Sequence, residues 1–428
     1  MSGAPTVASP SSTSSAPDKE PAGAPLAISS RALWWFGAAL VALQVAQILG
    51  RSHAAWIDVR WAWSQYLFSL VMFGPLAAAG GAWQGRALIQ AGWLARIRPW
   101  RGAWLFIAPV TALALTVFLG GLVAQFALCV VTGAPVDLLV ADSVDGVIAV
   151  VGVVTYVLAG AAIGAALRWR VVVPLAAGAA FGLTMWAWIA GMDVLVKFGG
   201  ATGGLTGYAT RPGQQLVRLA FLLVVAAGCA LVVRERLGWS RGTRRGVVGA
   251  VVAVAVLFGI AGSVDDELRA VPVAWACAGK EPTVCVPGTA KRFLPDLMTA
   301  VDRQGLAHQV VTASPRTATT LRITDDLLLA RVARVGAAPD REVGARIGIE
   351  VSNRLMAPYC LSSESPESWW SNPAVEQLGT WISYYTSRDA DDVTTPADAG
   401  IPDAPIGSPA ATTFLATTLA QLPPCPKG

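Results

Sequence analysis

Charge is what this chain of 428 residues has least of. Asp, Glu, Lys and Arg make up 14% of it, where a soluble domain carries about a quarter. The shortage is uneven, because nearly all the long uncharged runs fall between Ala32 and Gly262. Histidine is scarcer still, with two residues, His53 and His308. That is too little for a triad built on His, and neither H-E-x-x-H nor G-x-S-x-G occurs. A Walker A loop is also missing: the stretch holding Gly199, Gly200, Gly203, Gly204 and Gly207 has no Lys after it and reads as a flexible loop. No C-x-x-C pair is present to nucleate a zinc site. These gaps predict a protein that is not an enzyme and carries neither cofactor nor metal.

What is present is apolar. Hydrophobic residues make up 54% of the chain, and the mean hydropathy is +0.54. Runs at about 32–50, 62–82, 103–130, 146–167, 171–190, 216–233 and 246–262 have the length to cross roughly 30 Å of hydrocarbon at 1.5 Å per residue. The last is the shortest. The expected fold is an all-α polytopic membrane bundle of about seven transmembrane helices. Residues 1–30 are Ser-, Pro-, Ala- and Gly-rich and read as a disordered cytoplasmic tail. Residues 31–262 form the transmembrane domain, with the bilayer as its first partner, and 263–428 a separate extracytoplasmic domain.

Orientation follows from the short loops. One set holds Arg31, Arg86, Arg96, Arg98, Arg101, Arg168, Arg170, Arg234, Arg236, Arg241, Arg244 and Arg245. The alternate set holds Arg51, Arg60, Lys197 and Arg211, with Asp58, Asp137, Asp142 and Asp193. Twelve cations against four put the first set in the cytoplasm of a multi-pass cell-membrane protein. Seven crossings then leave the N-terminus inside and the C-terminal domain outside. Tryptophans mark the same boundaries, with Trp34, Trp35, Trp83, Trp100, Trp104, Trp169 and Trp239 at inner ends. Trp56, Trp61, Trp63, Trp186, Trp188 and Trp275 fall at or beyond outer ends. The net charge of +5 is thereby a matter of topology, and no basic stripe with interleaved aromatics predicts a nucleic-acid partner.

The spans hold almost no ionisable group at mid-depth, apart from Arg218 near one outer end, which argues against an ion-coupled carrier. Gln44, Gln47 and Gln125 are intramembrane polar residues suited to bonding between helices. From Ser263 the composition becomes ordinary. Val343, Ile347, Val351 and Leu355 share one helical face. So do Val375, Leu378, Ile382 and Tyr385, starting at Asn372-Pro373, and a third set is Phe293, Leu297, Met298 and Val301. Phe414, Leu415, Leu419 and Leu422 suggest a fourth helix, Thr320–Ile323 a short strand, and residues 388–410 a loop. The domain is expected to be mainly α, or α+β. Asp265-Asp266-Glu267 reads as a solvated cluster beside the membrane.

Cys129 and Cys229 lie in apolar spans as inert thiols. Cys277, Cys285, Cys360 and Cys425 lie in the extracytoplasmic domain, where an oxidising compartment favours disulfides. Four cysteines allow three pairings. Cys277–Cys285 with Cys360–Cys425 is favoured because a short loop separates the first two. In the loop-entropy picture that bridge contributes about 2.6 kcal/mol.

Residues 83–101 form a basic inner segment that places Ile89, Trp93 and Ile97 on one helical face, with Arg86, Arg96 and Arg98 beside it. Such a helix lies along the membrane surface or docks on a cytoplasmic protein. A tailed N-terminus, two spans joined by this basic inner helix and further spans together resemble the permease subunits of ABC-2-type transporters over residues 1–262. Thr283-Val284-Cys285-Val286-Pro287, with Cys277 upstream, is similar to a segment of actinobacterial membrane proteins described as ABC-like permeases. Those commonly carry a His between the positions of Val286 and Pro287, which this chain lacks. The seventh span and large outer tail also depart from a six-span permease.

The resemblance implies a permease-like subunit worked by a separate nucleotide-binding ATPase that docks at Arg86, Ile89, Trp93, Arg96, Ile97 and Arg98. It further implies a homodimer or heterodimer. The alternative is a membrane-anchored extracytoplasmic binding or assembly module, with the helices as scaffold.

Overall fold

The structure is a computed structural model, and it describes residues 30–90, 99–167, 171–199, 205–236, 242–261, 268–280, 283–305, 308–309, 320–323, 326–336, 341–356, 373–386 and 401–422. The N-terminal half is helical: α1 (Ser30–Gly50), α2 (Val59–Leu67), α3 (Leu70–Gln90), α4 (Pro99–Val131), α5 (Val140–Ala166), α6 (Val172–Ile189), the single turn α7 (Asp193–Val196), α8 (Pro212–Arg236) and α9 (Gly242–Ala261). Among the described residues six segments are long and apolar enough to cross a membrane, α2 and α3 together making one of them. The outward faces of these segments carry Val123, Val147 and Leu183, each more than half exposed. Hydrocarbon solvates such a surface and water does not, so this is a membrane-embedded protein. The shorter apolar helix Val248–Ile260 lies within α9.

The second expected span is in fact broken. Asp58 caps α2 by accepting the Trp61 N–H at 2.7 Å, and the helix stops at Phe68–Ser69, where Ser69 N–H donates to the Tyr66 carbonyl in a tighter turn. α3 then runs on to Gln90, eight residues beyond the expected end. α5 starts at Val140, six residues before the expected one.

The centre of the bundle is the crossing of α3 and α5. Gly81 and Gly85 on one helix face Gly160 and Gly164 on the other. A β-carbon at Gly81 would fall on the Val157 carbonyl oxygen, and one at Gly160 on that of Ala78. The two backbones therefore touch directly. Apolar side chains gain nothing by leaving lipid for protein, so close backbone packing of small residues is what draws the helices together. This paired G-x-x-x-G arrangement escaped the sequence reading, in which alanine and glycine are so common that four more of them carried no signal.

The C-terminal half holds a three-stranded sheet of β3 (Trp275–Ala278), β4 (Thr283–Pro287) and β5 (Thr320–Arg322), with β4 antiparallel to β3 and parallel to β5. Around it lie α10 (Leu294–Gln304), α11 (Asp326–Val335), α12 (Arg341–Met356), α13 (Pro373–Thr386) and α14 (Pro409–Ala420). The four helices and the strand read from sequence are all present, while α11 and the β3–β4 hairpin were missed. A separate ladder joins β1 (Tyr208–Thr210), just before α8, to β2 (Leu268–Ala270), after α9. It holds the start of α8 and the chain that leaves α9 at one end of the bundle.

Cys277 and Cys285 are direct partners in the β3–β4 register and form a disulfide. Cys360 and Cys425 lie outside the described residues, as do residues 1–29 and Asp265-Asp266-Glu267.

The C-terminal domain is seated on the bundle through a shared core. Ala54, Ala55, Ile57, Trp61 and Cys129 pack in one buried cluster with Val286, Leu297, Leu329 and Trp381. Arg292 clasps the joint, donating to the carbonyls of Trp56, Thr132 (3.2 Å) and Gly133. Two assignments to the aromatic belt are corrected here. Trp61 is 2% exposed inside this core, and Trp63 is half-buried and donates to the Asp142 carbonyl at 2.9 Å. By contrast Trp34, Trp35, Trp104, Trp186 and Trp188 are exposed.

Two outcomes follow for stability in detergent. Gly160→Val should destabilise the bundle by about 3 kcal/mol or more, since backbone cannot yield as a side chain does. Unchanged thermal unfolding, followed by size-exclusion chromatography after heating, would contradict the α3–α5 contact. Cys277→Ser with Cys285→Ser should lower the stability of the C-terminal domain by about 2–3 kcal/mol, read as earlier proteolysis of that domain.

Candidate functional site

Buried charge collects where the domain-facing ends of α2, α5 and α8 converge. α5 contributes Asp142 and Asp145, three residues apart and so on one face. Arg60 from α2 pairs with Asp142 at 2.7 Å, with side chains 11% and 5% exposed. The same guanidinium donates to the carbonyls of Leu205 at 3.2 Å and Tyr208 at 2.8 Å. Asp142 also accepts the Leu139 N–H at 2.9 Å, which closes the first turn of α5. The site is thus assembled from a helix start, a neighbouring helix and an incoming loop.

The second pair lies beside it. Arg218 from α8 stands 3.7 Å from Asp145 and donates to the Val194 carbonyl of α7 at 2.7 Å, with its guanidinium over the Phe198 ring. Thr210 on β1 donates to Asp145 at 2.7 Å, and Gln215 donates to the Ala141 carbonyl at 2.8 Å. Gln214 is fully buried, and its amide has no hydrogen-bond partner among the described residues. Two guanidiniums thus face two carboxylates, which is charge-neutral and mostly satisfied.

Such a cluster locks loops in register; it holds no nucleophile and no proton-shuttling histidine. Among the described residues no group of three or more His, Cys, Asp and Glu could hold a metal ion. Just outside the spans, burial raises the pKa of Asp58 from its ordinary value, opposed by the Trp61 N–H. The folded chain therefore holds that proton more tightly than the unfolded one. On this account stability falls as pH rises from the ordinary carboxyl range through the raised pKa.

The sequence places almost no ionisable group at mid-depth, and α5 adds two carboxylates at its start, outside that depth. Because that helix starts at Val140, Asp142 and Asp145 are helical residues and not loop residues. A D-x-x-D pair just ahead of a long apolar run, with Arg60 just before one apolar run and Arg218 early in another, was the available signal. Reading Asp142 as a loop charge hid it.

The six inner-loop residues are divided. Arg86 and Ile89 occupy the last two turns of α3, both half-buried, and Ile89 packs on the bundle core. The Arg86 Nε is buried with no acceptor among the described residues. Trp93, Arg96, Ile97 and Arg98 lie outside the described residues. Gln44 is buried with its amide unpartnered among the described residues, Gln125 is buried, and Gln47 is half-buried. His308 is exposed, and Cys129 and Cys229 are free thiols.

No family model, no curated protein and no solved structure matches this chain.

Asp142→Ala should cost about 3–5 kcal/mol, because it strands a buried guanidinium. The double change Arg60→Met with Asp142→Leu should recover most of that loss. The check is a thermal unfolding series on the three proteins in one detergent. Equal loss in the single and double variants would mean that the charge pair is not what holds these helix ends.

Proposed function

We propose that this chain is a permease-like membrane subunit worked by a separate cytoplasmic ATPase, and that its C-terminal domain receives the resulting movement on the extracytoplasmic face. The observation that carries this reading is mechanical. The basic segment 83–101 joins α3 to α4, and those two helices lead to the seat of the C-terminal domain. α4 ends beside Thr132 and Gly133, both held by Arg292. α3 continues from α2, whose first residues and preceding turn lie in the shared core. A push on residues 83–101 has a stiff route of about 30–50 Å along helices, at 1.5 Å per residue.

In this reading α9 is a seventh crossing. Its antiparallel packing on α8 and the β1–β2 ladder support that count, since together they put the exit of α9 at the same end as the start of α8. The basic loops then face the cytoplasm, as the positive-inside rule requires, and the disulfide lies in an oxidising compartment. Movement of this kind suits a subunit that extracts or moves a substrate as one of a pair.

A second reading, an extracytoplasmic binding or assembly module with the helices as scaffold, is favoured by the extent of the shared core. A domain anchored only by its linker would not share buried residues with loops before α2 and after α4.

Gentle solubilisation and affinity capture from the native host separate the two. A nucleotide-binding ATPase should co-purify, and Arg96→Glu with Arg98→Glu should lose it while leaving the Cys277–Cys285 disulfide intact. Capture that retrieves no ATPase, or retrieves it equally with the charge-reversed variant, would favour the scaffold reading.

A further inference from the structure

A cavity of about 360 Å³ opens at mid-depth in the bundle, walled by α3, α5, α6, α8 and α9. That volume lies in the range of small-molecule sites, about 300–1,000 Å³. Small side chains make the room: Ala78, Ala159, Ala179, Ala180 and Ala187 all line it. Its hydroxyls are already engaged. Thr155 donates to the Val151 carbonyl at 2.8 Å and Thr184 to that of Ala180 at 2.9 Å, while the Tyr156 hydroxyl lies 3.0 Å from Thr184 Oγ1. None of the lining side chains is charged. An ion, a sugar or a peptide would lose its water here and find no partner, which is costly. A hydrocarbon chain loses nothing, and it restores the dispersion contacts that an empty space forfeits.

The mouth lies where such chains are. Leu183 and Ala179 line the cavity and are exposed on α6, so the space reaches the bundle surface at the depth of lipid tails. At the domain-facing end Trp186 of α6 meets Phe258 of α9 at 6.2 Å, and Phe258 meets Phe221 of α8 edge to face at 5.6 Å. These rings close the gap on that side. The roof is Leu195, Val196 and Phe198, and the Arg218 guanidinium, which does not line the cavity, lies over the Phe198 ring 5.6 Å from its centroid.

The geometry points to a binding site for one hydrocarbon chain of a membrane lipid, entering sideways from the bilayer between α6 and α9. The chain fills the alanine-lined space and ends under Phe198, so its presence supports the ring on which Arg218 rests. This assignment does not depend on an ATPase and stands or falls apart from the transport reading.

The test uses the full chain in a non-ionic detergent micelle and a phospholipid with a photoactivatable diazirine midway along one acyl chain. Adducts are mapped by mass spectrometry. Labelling of Leu222 and Val254, which line the cavity, should saturate and be displaced by unlabelled competitor. Labelling of Val123, on an outward face, should do neither. Ala180→Phe, which fills the cavity, should reduce lining adducts about tenfold or more and leave the Val123 adducts unchanged. Ala159→Leu fills it less abruptly and should do the same in smaller measure, which guards against a misfolded Phe variant; an intact Cys277–Cys285 disulfide in both is the folding control.

Displacement by unlabelled phospholipid identifies a diacyl lipid as the chain donor, displacement by free palmitate alone identifies a single-chain one, and either supports the site. Lining adducts no more saturable than those at Val123 mean annular lipid only and overturn the assignment, as do lining adducts that persist undiminished in both filled variants.

Discussion

Contact between two helix backbones organises this protein. In water, α3 and α5 would be held by burying their apolar faces, but in a bilayer that drive is gone, because lipid tails serve as well as leucine. What remains is dispersion at close range, and dispersion falls steeply with any gap. Gly81, Gly85, Gly160 and Gly164 remove the β-carbons that would create one. With α3 and α5 locked, α6 packs on α3 and α8 on α5, with α9 on α8. The cavity exists because the alanines that allow close approach at α3–α5 are repeated where no helix comes close enough to use them.

The charged cluster is placed by the same crossing. Asp142 and Asp145 sit one turn beyond the apolar length of α5, so once that helix is positioned they must meet something other than lipid. Arg60, Arg218 and Thr210 supply it. Buried ion pairs add little net stability, since desolvation consumes most of the Coulombic gain. Their consequence is geometric: Asp142 accepts from Arg60 and Leu139, and Asp145 accepts from Thr210 with Arg218 beside it, which ties α2, α8 and β1 to the start of α5 in one register. The C-terminal domain is seated beside these ends, and Arg292 closes the joint by donating to carbonyls just before α2 and just after α4.

Much of this was legible in the residues. The apolar runs found the helices, because a segment that cannot be hydrated and must satisfy its own backbone has few other choices. Period-four stripes such as Val343, Ile347 and Val351 found the helices of the C-terminal domain, and the short spacing of Cys277 and Cys285 found a real bridge. Misses came where local chemistry and tertiary contact disagree. Asp142 looks like a loop charge until Arg60, 82 residues away, is seen to neutralise it. Trp61 looks like a belt residue until the C-terminal domain covers it. The turn at Phe68–Ser69 divides a span that hydropathy reads as continuous.

The amino-acid sequence alone therefore determined that the N-terminal half carries long apolar helices, their rough extent, and the mostly helical character of the C-terminal half. These are properties of composition and period, which need no partner. Which helices touch, where a cavity remains, which charges meet and how the C-terminal domain is seated were decided by tertiary structure alone. Each depends on distances between residues remote along the chain, and on small side chains whose meaning is the close approach they permit.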